Sequence, residues 1–548
     1  MKKTVSVFLS LLLVFLGCVP ALAAGASGGA VPTVYIVGGN GGLKNAEGEM
    51  VLPIETPEGY LGEAVKDCAA DLAKALVLRT PEAKEAYKEK LISWMSPIYE
   101  KVVLDRSGDP IGEYVVTNGW SADPFVIPEV MPDYKTGDGY DLRSYEFYYD
   151  WRLDPFVNAD RLEAYINAIL RGTGVEKVNL LGRCEGGTIL MAYLSAYGHE
   201  KVNKVFFNTT ASNGYILATA AFSGEMEFSS ADINRFLKNN PNFSLDDLDL
   251  SSLSMGDDLL ALLKAMLDAS SASPGIDLTG RLLDRFYTDL IREILPDVLL
   301  VSYGTFPAVW AMVDNDHFDA ALSYVFAGRE AEYAGLIERI VYYHENVSLK
   351  TEELLRACEA DGVEVGTVTK YGYPAMPLYK ESDLLSDGHA LVRDVSFGAT
   401  ASTHTGTLDE KYINRRVSEG KGKYISADKK IDASTGMFPD TSWYIGNLEH
   451  QYFPYLIDDL TQAFFVSDGM TVDTDPAYPQ FMVFNEEYRL DPLTEENADR
   501  SVVGVGNEPT FSNSLERFAD AFGSILIKLI TFVRSIITGI VDHAKGNA

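Results

Sequence analysis

The chain has 548 residues and carries 79 acidic against 46 basic side chains, a formal charge of −33. A surface this acidic repels nucleic acid and disfavours broad adsorption to anionic lipid. With 47% hydrophobic residues, including 30 Tyr and 26 Phe, there is ample material for a large core, and the length suits an α/β enzyme with insertions.

At the N-terminus, Lys2 and Lys3 precede an apolar run from Val5 to Leu16 that is too short to span a bilayer, and Pro20 is followed by the small-x-small site Ala21-Leu22-Ala23. Residues 1–23 are therefore expected to be a secretory signal peptide, which makes the mature protein secreted. Phe15-Leu16-Gly17-Cys18 also admits a lipoprotein reading with Cys18 lipidated, although Phe and Leu suit those positions poorly. Beyond this segment only Cys68, Cys184 and Cys358 remain, an odd number in a compartment that tolerates disulfides. Cys68 and Cys358 lie in helix-like stretches, either bridged or as buried thiols.

Further along, Thr33 to Val37 reads as a buried strand running into Gly38-Gly39-Asn40-Gly41-Gly42. Tyr145 to Tyr149 is a second strand, and Leu162, Ile166, Ile169 and Leu170 recur at helical spacing over Ala159 to Leu170, with Asn158 as the expected N-cap. Val178 to Leu181, a helix from about Gly187 to Tyr197, and Val202 to Phe207 continue a strand–helix alternation. This rhythm predicts an α/β fold with a mainly parallel sheet covered on both faces.

From 211 to 346 helical segments dominate (Leu259 to Leu267, Leu282 to Leu295, Ala331 to Tyr343), which predicts a helical cap inserted between a first core part, 24–210, and a second, 347–511. The core resumes in strands at Val363 to Tyr371 and Ser442 to Ile445. Residues 512–548 form an expected amphipathic C-terminal helix. Ser524, Lys528, Thr531, Ser535, Thr538 and Asp542 make one narrow polar stripe on an otherwise apolar surface. Such a helix over 515–541 is expected to dock on the protein, self-associate or lie on a membrane surface, the last adding cell-surface association to secretion.

Chemistry concentrates in Val178-Asn179-Leu180-Leu181-Gly182-Arg183-Cys184-Glu185-Gly186-Gly187. A strand that feeds G-x-nucleophile-x-G into a helix is a nucleophile elbow, here with Cys184 in place of the usual serine. Side chains at Gly182 or Gly186 would collide with the neighbouring strand or helix. The turn also aims the Glu185 N–H at a developing oxyanion. Arg183 and Glu185 flank the thiol and would shift its acidity in opposite directions, according to which one points inward.

Tyr148-Tyr149-Asp150-Trp151-Arg152-Leu153 matches the YDWRL signature of the lecithin:cholesterol acyltransferase-like family, and Val37 to Leu43 resembles that family's oxyanion loop, with Gly38 replacing proline. The resemblance runs from about Thr33 to Phe465 in short motifs and implies an α/β-hydrolase fold. In that family the acid lies in a G-D-G-T-V segment after a strand ending in Tyr-Gly. Here Lys370-Tyr371-Gly372 precedes Ser386-Asp387-Gly388-His389-Ala390, so the acid carries over to Asp387, with Asp383 as the alternative; His389 and Ala390 replace Thr and Val. The histidine follows the last strand, which selects His450, in the order nucleophile, acid, histidine. The resemblance implies oxyanion donors at the N–H groups of Asn40 and Glu185, with Gly39 lining the same loop. Dienelactone hydrolases also place Cys in a G-x-C-x-G-G elbow on this fold.

The resulting expectation is a secreted acyl hydrolase or acyltransferase acting on lipid-like esters through Cys184, His450 and Asp387, with a thioester intermediate. The alternative is a degenerate hydrolase scaffold that binds lipid or a partner. No cofactor is expected, and no His or Cys pair has metal-ligand spacing.

Overall fold

The computed structural model describes residues 30–498 except 40–41, 53–59, 120, 137–138, 230–275, 376, 451, 453–454 and 486–488. The signal segment, Asn40, the Leu259 to Leu267 helix and the 515–541 helix lie outside the described residues.

Eight strands form one large sheet: β1 (Thr33–Ile36), β2 (Tyr145–Phe147), β3 (Val178–Arg183), β4 (Val202–Asn208), β5 (Glu364–Tyr371), β6 (Ser442–Gly446), β7 (Phe481–Phe484) and β8 (Leu490–Pro492). Their spatial order is β2-β1-β3-β4-β5-β6-β7-β8. Every neighbouring pair is parallel except β7 with β8. The chain steps from β1 outward to β2, then crosses back to β3 on the other side of β1. The strand order therefore reverses beside β1, which makes the carboxyl ends of β1 and β3 a topological switch point.

The central strands are buried along almost their whole length, as expected of a parallel sheet covered on both faces. Adjacent residues of β4 mark the two faces. Phe206 meets Phe464, whereas Phe207 meets Phe397 edge-on. Phe464 belongs to a helix over Tyr455–Val466 that follows β6.

Between β1 and β2 the chain makes two helices, α1 (Tyr60–Leu78) and α2 (Pro81–Tyr99), and a three-stranded antiparallel sheet from Gly42–Asn45, Met50–Leu52 and Tyr114–Thr117. α3 (Pro155–Thr173) and α4 (Gly186–Tyr197) pack on each other. α3 begins at Pro155 rather than Ala159. Asp154 caps it by accepting from the Phe156 N–H at 2.9 Å, and Pro155 has φ preset for a first turn. Asn158, the expected cap, sits inside the helix, where its Nδ2 donates to the Asp150 carbonyl at 2.9 Å.

The 211–346 insertion is helical where described, with α5 (Ile216–Ser223), α6 (Ile276–Leu300), α7 (Phe318–Val325) and α8 (Ala334–Asn346). α6 packs on α1 and α2 as well as on α7, so the helical layer draws on both segments. Cys68 and Cys358 are free, buried thiols and form no bridge.

Candidate active site

Cys184 immediately follows β3, in the left-handed region at φ 48°. A non-glycine residue held there stores strain, and it persists only where the surroundings enforce it. Enforcement comes from close backbone packing. A Cβ on Gly186 would lie 2.4 Å from the Ile36 carbonyl oxygen of β1, and one on Gly182 would lie 3.1 Å from Leu190 Cδ1 of α4. Ala211 and Gly187 donate their N–H groups to the Cys184 carbonyl at 3.0 and 3.1 Å. These contacts fix the turn, and its side chain meets the His450 ring.

Asp387, His450 and Cys184 stand in hydrogen-bonded succession. His450 Nδ1 lies 2.7 Å from Asp387 Oδ2, and His450 Nε2 lies 3.2 Å from Cys184 Sγ. Asp387 and His450 are fully buried, and Cys184 is 3% exposed. Asp387 occupies the loop after β5, where its Oδ1 accepts from the N–H groups of Ala390 and His389 at 2.8 and 3.1 Å. His450 sits in the loop after β6, its own N–H on the Asp387 carbonyl at 3.0 Å. Asp383, the alternative acid, accepts from Thr405 Oγ1 at 3.2 Å instead.

The electrostatics of this chain are those of an ion pair. Burial works against charge on His450, but the Asp387 carboxylate and the Cys184 sulfur outweigh it and hold the imidazole well above its usual range. Burial likewise opposes ionisation of Asp387. His450, the Ala390 N–H and His389 prevail and keep its carboxyl below the usual value. Cys68 and Cys358 stand in contrast, since burial pushes their thiols up to about 12 and about 11.

The loop after β1 packs against the turn at Cys184. A Cβ at Gly38 would sit 2.7 Å from both the Arg183 carbonyl oxygen and Cys184 Cβ, so glycine here lets this loop press on the turn at Cys184. Gly39, at φ 64°, donates its N–H to the Tyr149 hydroxyl at 3.3 Å and so is tied to the YDWRL stretch. Glu185 is fully buried and its carboxylate acts on Tyr149, whereas Arg183 Nη1 donates to the Tyr35 hydroxyl at 2.9 Å. Glu185 is thus the flanking residue that turns inward.

The rest of the YDWRL stretch is structural. Arg152, fully buried, pairs with Asp150 through Nη2 and Nε at 2.7 and 2.9 Å, and donates from Nη1 to the Val102 carbonyl at 2.7 Å. Its guanidinium lies over the Tyr114 ring. Trp151 stacks on Tyr303 and meets Phe306 edge-on, which fastens the motif to the helical layer.

His389, which had no role in the sequence analysis beyond replacing Thr, lies beside His450. Its ring centroid is 5.3 Å from that of His450, and its Nδ1 lies 2.7 Å from the Tyr215 hydroxyl at the head of α5. The signal was its place two residues after Asp387, on a loop that must curl around the imidazole. The remaining described histidines are elsewhere: His199 pairs with Asp361, His317 with Asp314, His344 stacks on Phe318, and the His404 N–H binds the Asp383 carbonyl. Among the described residues no group of His, Cys, Asp and Glu is arranged to hold a metal ion, and no helix is long and apolar enough to cross a membrane.

Comparison with protein-family models, with curated proteins and with solved structures finds no match for this chain.

Proposed function

We propose that the protein is a secreted, lecithin:cholesterol acyltransferase-like enzyme of α/β-hydrolase fold that hydrolyses or transfers the acyl group of lipid-like esters. The observation that carries this reading is the Asp387–His450–Cys184 succession at the carboxyl ends of β5, β6 and β3. The strand order, with its reversal beside β1, supports the fold assignment, as does the strained Cys184 between β3 and α4.

In the proposed reaction the thiol proton lies on His450 Nε2, so that Cys184 attacks as a thiolate, while Asp387 holds the Nδ1 proton and offsets the imidazolium charge. The Cys184 sulfur attacks the ester carbonyl carbon, and the backbone N–H groups of Glu185 and Asn40 take the oxyanion. The C–O bond then breaks, the alcohol leaves with the proton from His450, and a thioester remains. Water or an acceptor alcohol or amine repeats the sequence in reverse, giving its proton to His450, forming the acyl product and releasing the Cys184 thiolate beside the imidazolium. Each oxyanion donor is worth about 3 kcal/mol in such reactions.

The low exposure of the sulfur, 3%, favours the alternative of a degenerate scaffold that binds lipid or a partner. A scaffold without chemistry has no physical reason to hold a buried carboxylate on a buried imidazole, so the enzyme reading is preferred. The test compares thiols of equal burial. Iodoacetamide is expected to alkylate Cys184 at least about tenfold faster than Cys68 or Cys358 at pH 6, because only the thiolate reacts. A short-chain p-nitrophenyl ester should leave an acyl group on Cys184 by intact mass, absent in C184A. Equal alkylation rates together with no acylation by esters or thioesters would establish the binding reading.

A further inference from the structure

We infer that Lys370 is a positioning residue for the proposed catalytic imidazole, an inference that rests on the reading of Cys184 and His450 above. Lys370 is the penultimate residue of β5 and is 1% exposed. Its Nζ lies 2.6 Å from the His450 carbonyl oxygen, 2.9 Å from that of Tyr452 and 3.4 Å from that of Glu449.

A buried ammonium costs several kcal/mol unless its protons find acceptors. Here the three protons meet three carbonyls of one loop, which matches the donor count of lysine. The loop is also anchored through the Leu448 N–H on the Tyr371 carbonyl at 3.3 Å and the His450 N–H on the Asp387 carbonyl at 3.0 Å, and Lys370 adds the cation that gathers its carbonyls. β6 ends at Gly446, the next helix begins at Tyr455, and Asn447 already takes the left-handed region at φ 59°. The pairing of β5 with β6 sets Lys370 opposite Ile445, so the ammonium is delivered to the loop just where the strand pairing stops.

His450 is thereby held on both sides of its Cα. Its N–H is on the Asp387 carbonyl, and its C=O is on Lys370. With the backbone pinned, the imidazole has its two ring nitrogens directed at Asp387 and Cys184. An apolar residue in place of Lys370 would leave three carbonyls of the histidine loop without their cation, and the loop would turn toward other donors and carry the ring with it. A displacement of about 1 Å in such a constellation typically costs up to about a hundredfold in rate.

The experiment uses the full-length protein and iodoacetamide, with alkylation of Cys184 followed by mass against pH and with circular dichroism as the check of fold. K370M is expected to lower Cys184 alkylation at pH 6 by about tenfold or more and to move the rise of the profile toward that of an ordinary thiol. In an H450A background the same substitution should change nothing further, since the effect runs through the ring. K370R keeps the charge but moves its donors and, if K370M does not fold, carries the comparison with an expected smaller loss. A folded variant with the wild-type profile overturns the role of Lys370, as does an equal loss in the H450A background. A wild-type Cys184 no more reactive than Cys68 overturns the catalytic reading itself, and the role of Lys370 falls with it.

Discussion

At the scale of single residues, the site rests on an imidazole buried between a carboxylate and a sulfur. Burial alone would neutralise His450; the carboxylate on one side and the sulfur on the other reverse that preference. In the proposed enzyme the raised pKa of the imidazole favours passage of the thiol proton to His450. Alkylation of Cys184 should begin well below the usual thiol range of about 8.5 and persist through neutrality. D387N removes the charge that holds His450 up, so the imidazole releases its proton at lower pH and the thiol regains its own. The expected result is a loss of about tenfold or more in pH 6 alkylation with less loss near pH 9, read from the pH–rate profile. An unchanged profile would mean that Asp387 plays no part. The three residues were legible because glycines bracket the elbow and because acid and histidine each follow a strand in the right order. His389 and Lys370 were not, since their importance lies in what they touch across the fold: Lys370 meets the His450 loop 80 positions away.

At the scale of elements, the site is made by loops pressed together at the ends of β1, β3, β5 and β6. Gly38 is the tightest of these contacts that does not lie within the elbow. G38A places a methyl carbon 2.7 Å from backbone and from Cys184 itself, so the β1 loop must retreat. The expected cost is about 1–3 kcal/mol in thermal or urea unfolding, together with lost Cys184 alkylation at pH 6. Wild-type stability and labelling would show that the two loops are not in contact. The α1–α2 pair escaped the sequence reading although its signal was present. Tyr87, Leu91, Met95 and Tyr99 recur every four residues and form the buried stripe of α2, while Thr80 and Pro81 mark its start. The start of α3 was misplaced for a related reason. Apolar periodicity begins only once the helix meets the core, a turn after Asp154 and Pro155 have started it.

At the scale of the whole molecule, the YDWRL stretch joins three parts: the sheet through β2, the end of α2 through Val102, and the helical layer through Trp151 against Tyr303. Its central fastening is the buried Asp150–Arg152 pair. R152M would strand a carboxylate that is 4% exposed, and removing one partner of a buried pair typically costs about 3–5 kcal/mol. Urea unfolding should register that loss. A change under 1 kcal/mol would mean that the pair behaves as a surface ion pair.

What the sequence determined by itself was local. Alternation of apolar strands and helices set the α/β class, and glycine spacing set the tight turn that carries Cys184, because steric limits on backbone turns are written in adjacent residues. Only the tertiary structure decided the spatial order of the strands, the inward turn of Glu185, the tie between Gly39 and Tyr149, and the grip of Lys370 on the histidine loop. Those depend on contacts between segments tens to hundreds of residues apart, and no local pattern encodes which distant carbonyl or hydroxyl a buried polar group will meet.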